Sequence, residues 1–161
     1  MTLEEFFKRL EEENRLNPGT HGVESGLSNR ELLLWEKDRP GMTVPEDLVA
    51  LLRSSNGLRI RLNKDSPCGA ALRFLPLREI RNPGSLMYGD DSGDEEIPRA
   101  WVCVAHDADN TSFLVLDVAT GDYREVDPID LDGAKRVASN VEGALDWVAG
   151  YFSDSAQEDL T

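Results

Sequence analysis

The sequence predicts an α+β domain in which an antiparallel sheet of about five to six strands packs against N-terminal helices and one C-terminal helix. Three observations carry that prediction. Capped amphipathic stretches fill the first third of the chain, apolar and alternating runs separated by turn residues fill the middle, and one further capped amphipathic stretch lies near the end. At 161 residues and 40% hydrophobic, the chain suits one core. The domain is expected to span 1–152, with an acidic, flexible tail at 153–161.

The first helix opens at Thr2-Leu3-Glu4-Glu5, a capping-box pattern, and Leu3, Phe6, Phe7 and Leu10 recur at i, i+3, i+4, i+7. Asn17-Pro18-Gly19 ends it, and Thr20 to Gly26 reads as loop. Ser28-Asn29-Arg30-Glu31 repeats the cap signature before Leu32-Leu33-Leu34-Trp35-Glu36, and Arg39-Pro40-Gly41 stops that helix. The third helix has both of its ends written into the sequence. Thr43 is placed to cap it with Glu46 reaching back, Leu48, Leu51 and Leu52 form one stripe, and Asn56-Gly57 supplies the stop. Leu58-Arg59-Ile60-Arg61-Leu62 then alternates with period two, a half-buried strand that begins with almost no loop.

A second strand is expected over Ala71–Leu77, with Pro76 marking an edge or a strand end. Asn82 through Glu96 combines turn residues with an acidic run and reads as a long exposed loop. Ala100–His106 and Ser112–Asp117 are dense β runs joined as a hairpin through Asp107–Thr111. Tyr123–Val126 would be the outer strand of the meander, closing at Asp127-Pro128. Ser139-Asn140-Val141-Glu142 then caps a last helix with Val141, Leu145, Val148, Ala149 and Phe152 on one side.

Charge bounds the function. The formal net charge is −14, from 31 acidic against 17 basic side chains, which repels phosphate backbones and disfavours nucleic acid as a partner. The same charge would steer a basic protein. No apolar run reaches the roughly 18 residues a membrane span needs, and the first residues lack a leader pattern, so a cytoplasmic location without a membrane partner is expected. Cys68 and Cys103 stand alone, without metal-ligand spacing, as packing cysteines of a reducing compartment.

Catalytic chemistry finds few candidates. His21 and His106 have no neighbouring nucleophile in sequence, and Gly22-Val23-Glu24-Ser25-Gly26 places its serine off-register for a nucleophile elbow. Asp107 and Asp109 resemble the start of a calcium loop, but Ser112 stands where glycine is needed and Val118 where glutamate is needed. No catalytic residue, metal site or cofactor is therefore expected. A hydrolase built on His106 and Asp107 would need a second polar group beside His106 in a pocket. The exposed acids Asp90, Asp91, Asp94, Glu95 and Glu96 are candidate partner contacts. Trp35 would be an anchor if it were exposed beside acids, against a plain core role.

The string from Trp35 through Pro45-Glu46-Asp47-Leu48 to Asn56-Gly57, with Leu72–Ile80 after it, resembles the SUKH superfamily, whose eukaryotic members include a yeast regulator of cell-wall synthesis. Val102–Asp107, Phe113–Asp117 and Ala144–Val148 are similar to that family's paired strands and closing helix. The resemblance implies a non-catalytic α+β scaffold, used mostly by bacteria as an immunity protein that binds a cognate toxin, often a nuclease or another enzyme. It also allows an adaptor that recruits an endogenous protein, and one such type shares the Trp35-Glu36 and Pro45-Glu46-Asp47 pattern. On that basis Glu36, Glu46 and Asp47 join Trp35 and the acidic loop as expected partner-binding residues. The chain departs from the family pattern in lacking a glycine doublet after Asn56, in its acidic Gly89–Glu96 insertion and in its polar hairpin turn.

Overall fold

The computed structural model describes residues 1–61, 71–83, 97–107, 112–127 and 130–158, with 130–132 and 150–158 described by backbone alone. Among the described residues, four helices and one sheet make up the fold. Helix α1 spans Leu3–Leu16, α2 Asn29–Asp38, α3 Glu46–Ser54 and α4 Val141–Glu158. The strands are β1 (Gly22–Val23), β2 (Leu58–Arg61), β3 (Ala71–Phe74), β4 (Trp101–Asp107), β5 (Phe113–Asp117), β6 (Tyr123–Asp127) and β7 (Asp130–Ala138). They pair antiparallel in chain order, so the sheet is a seven-stranded meander with β1 and β7 at its edges.

Two of the expected caps form as the sequence predicts. Thr2 accepts from the Glu5 amide at 3.1 Å, and Ser28 accepts from the Glu31 amide at 3.2 Å. The other two helix starts differ. Pro45, not Thr43, is the cap position of α3 and offers no side-chain bond. Asp47 supplies the acceptor instead: one carboxylate oxygen takes the Leu48 amide at 2.9 Å, the other the Val141 amide at 2.8 Å. One acid thus serves the first turns of both α3 and α4, which a local cap pattern cannot reveal because its second partner is 94 positions away. At α4 it is Asn140 that accepts from the Gly143 amide, at 2.7 Å.

The buried stripes join into one core. Phe6 and Leu10 of α1, Leu48, Leu51 and Leu52 of α3, and Val141, Leu145 and Val148 of α4 meet Leu58, Ile60, Leu72, Phe74 and Leu114 from the sheet. The opposite face of the sheet is covered only in part. Gly22, Arg59, Arg73, His106, Phe113 and Val126 oppose one another in successive strands, and directly opposed residues share a face. Arg59 and Arg73 are exposed while Phe113 and Val126 are buried, so this face is open at β2 and β3 and closed at β5 and β6.

Three strand expectations are corrected. The supposed loop before Gly26 contains β1, whose two residues show no periodicity and are placed by pairing with β2. Its approach is fixed by buried His21, whose Nδ1 accepts from the Arg61 amide at 3.1 Å while Nε2 lies 3.1 Å from the Glu13 carboxylate. Beyond Phe74 the chain leaves the sheet at Pro76 and makes a 3-10 turn over Leu77–Glu79, which is the strand end that proline allowed. Finally, β6 is not outermost. Strand β7 pairs with it through two register shifts, its Gly133, Lys135 and Arg136 having lowered its strand propensity below that of the dense runs before it. In α4 the backbone stays helical to Glu158, through the start of the acidic stretch.

Candidate functional site

A concavity is built where α3 stops and the sheet begins. Ser55 is buried, donates its hydroxyl to the Gly57 carbonyl at 2.5 Å and accepts from the Glu24 amide at 2.9 Å. Gly57 has φ +105°, which a side chain rarely adopts, and the chain reverses there directly into β2. Asn56 ties three segments together: its amide donates to the Ser25 carbonyl at 2.9 Å, its side-chain oxygen accepts from the Leu77 amide at 2.8 Å, and its side-chain nitrogen donates to Glu31 at 3.0 Å. Gly26 completes the junction. A Cβ there would lie 2.0 Å from the Arg53 carbonyl oxygen, so only glycine lets the loop lie against the end of α3.

These fixed points leave a groove of about 470 Å³. The segment at Gly22 and Glu24–Gly26, Glu31 of α2, the turn Asn56–Leu58 and the side chains of Arg59, Arg73, Pro76 and Arg78 line it. Its chemistry is polar and two-signed. Arg73 makes a forked ion pair with Glu79 at 3.0 and 3.3 Å, and Arg59 donates to the Gly19 carbonyl at 3.3 Å. Glu31 is held by Ser28 and Asn56, each at 3.0 Å. Two elements that contribute to the groove also carry exposed apolar side chains: Val23 of β1 is 49% exposed, and Leu33 and Leu34 of α2 are 66% and 51% exposed.

Those residues singled out from sequence that are described lie elsewhere. Trp35 is a core residue, 5% exposed, with its indole N–H donating to the Ile80 carbonyl at 3.4 Å and Arg39 stacked 4.5 Å above its ring. Glu36 beside it is half-buried. Glu46 is exposed and Asp47 is committed to its two helix amides, at the end of α3 remote from the groove. Asp90, Asp91, Asp94, Glu95 and Glu96 lie outside the described residues, as does Cys68. Cys103 is buried, and burial pushes its thiol up to about 12, away from nucleophilic use. His106 Nδ1 lies 2.7 Å from the Asp107 carbonyl and its ring meets Phe113 edge-on, while the Asp107 carboxylate accepts from the Ser112 amide at 3.2 Å. Both side chains thus serve the hairpin's own geometry. Among the described residues no group of three His, Cys, Asp or Glu could hold a metal ion, and no helix is long and apolar enough to cross a membrane.

The arginines of the groove were not singled out from sequence, although a signal exists. Between Arg53 and Arg81 seven basic residues face two acids, a local +5 in a chain of net −14. A whole-chain charge conceals that reversal.

An antiparallel meander with capped helices, carrying a polar groove where a helix stop runs into a strand, defines the class of domain as an α+β scaffold. The chain belongs to the SMI1 / KNR4 family (SUKH-1), whose model matches residues 26–152. A comparison with curated proteins returned no match.

Proposed function

We propose that this chain is a non-enzymatic immunity protein, which binds a toxin enzyme and silences it by covering its active site, with the groove beside β1 at the centre of the contact. The observation that carries the reading is membership of the SMI1 / KNR4 family, which includes immunity proteins. The groove supports it. The end of α3 and the loop beside it are held by backbone hydrogen bonds and the Gly26 contact, so this part of the groove loses little conformational freedom on binding. Exposed Val23, Leu33 and Leu34 add apolar area on elements that also carry charged groups, the mixture from which protein contacts draw their affinity. The net charge of −14 would speed encounter with a basic toxin domain at low salt.

Affinity capture from the native host, with the retained protein assayed free and bound, tests this reading. The expected result is an enzyme that is inactive in the complex and active once released. A partner that keeps full activity when bound would replace immunity with an adaptor role.

A further inference from the structure

We propose that the arginine wall of the groove receives the carboxylates of an acidic segment on the protein partner; this rests on the groove being the partner-binding site. Arg59 and Arg73 sit directly opposite each other on β2 and β3, an arrangement that like charges disfavour. Glu79 relieves only Arg73. Arg59 has a carbonyl, and the exposed Arg78 has no ion-pair or hydrogen-bond partner for its guanidinium among the described residues.

The acids of the groove lining do not relieve them either. Glu31 spends both carboxylate oxygens on Ser28 and Asn56, and no ion pair among the described residues spans the groove from Glu24 or Glu31 to an arginine. Three guanidinium groups therefore line the groove with their hydrogen-bonding capacity incompletely used, and guanidinium matches carboxylate in planar, paired bonds. A phosphate polymer fits the setting poorly, because its closely spaced charges would face Glu24, Glu31 and a chain of net −14. A peptide presents carboxylates singly, with neutral side chains between them that can pass Glu24 and Glu31 without repulsion. Whole-chain charge then governs the approach of the partner, and the arginines govern which of its segments enters.

Fluorescence anisotropy with labelled oligoglutamate whose acids are separated by Gly-Ser, with oligolysine spaced in the same way, and with oligothymidylate of equal length tests the assignment on the full chain. Oligoglutamate is expected to bind in spite of the protein's own negative charge, and more weakly as salt rises. Arg78→Glu should weaken it about tenfold. Glu24→Lys, in the same groove lining, should tighten it, a gain that misfolding cannot mimic. Absence of oligoglutamate binding, preference for oligolysine or oligothymidylate, or indifference to both substitutions would overturn the proposal. The outcome separates from that of the proposed function: a captured, silenced enzyme whose affinity ignores Arg78→Glu refutes the arginine wall alone, while oligoglutamate binding alongside a fully active captured partner refutes immunity alone.

Discussion

Asp47→Ala should destabilise the fold far more than its half-buried position on a nine-residue helix implies. The carboxylate accepts the Leu48 amide at 2.9 Å and the Val141 amide at 2.8 Å, so its removal leaves a donor without its acceptor at the start of two helices. Loss of one helix cap costs about 0.5–2 kcal/mol, and bonds to a charged acceptor lie toward the upper end, so the two together cost about 2–3 kcal/mol. For a chain of this size that is a fall in Tm of about 4–12 °C. Asp47→Asn sharpens the test. An amide offers one acceptor oxygen, so it can serve one helix while its NH2 faces the other amide donor, and it should not restore wild-type stability. Urea titration monitored by circular dichroism gives the measurement, with the midpoint moving and the slope unchanged. Both variants falling within about 0.5 kcal/mol of wild type would refute the double-cap account.

The same geometry sets other expected outcomes. Burial holds His21 below its ordinary value of 6.5 against the opposing hydrogen bond that its ring donates to Glu13. Because the folded value is the lower one, stability should be full above 6.5 and decline as pH falls through the folded value, and urea titrations across pH should show that His21→Gln removes this part of the slope. Gly26→Ala forces a Cβ against the Arg53 carbonyl and should cost about 1–3 kcal/mol in the same assay, whereas alanine at any exposed position of α1 should cost under about 0.5 kcal/mol. Cys103 should resist alkylation at mildly alkaline pH until denaturant is added, as read by peptide mapping.

The fold was legible wherever the signal was local. The caps at Thr2 and Ser28, the stripe Leu48-Leu51-Leu52 and the dense runs of β4 and β5 are determined by neighbours within a few residues, and each formed where its pattern placed it. The failures share a cause in distance along the chain. Strand β1 exists through Arg59 and the bonds of His21 and Ser55, and Asp47 finds Val141 only after the sheet is built. Strand β7 was obscured by its glycine and charges, which an edge position tolerates. The groove was half legible. Asn56-Gly57 marked the helix stop, but that the stop would bring Glu31, Leu77 and the arginines of β2 and β3 around it depends on side-chain bonds that no periodicity encodes. Trp35 shows the converse, since tryptophan is enriched both in interface anchors and in cores, and only its burial decides between them.

Binding of the captured partner to wild type and to Arg59→Glu/Arg78→Glu, with the partner's enzymatic activity recorded at each protein concentration, tests the central claim most directly. The account predicts that wild type silences the partner in proportion to the complex formed, and that the doubly substituted protein, still folded by circular dichroism, silences it only at much higher concentration. Equal silencing by both proteins would remove the groove from the contact, and binding without silencing would remove immunity from the function.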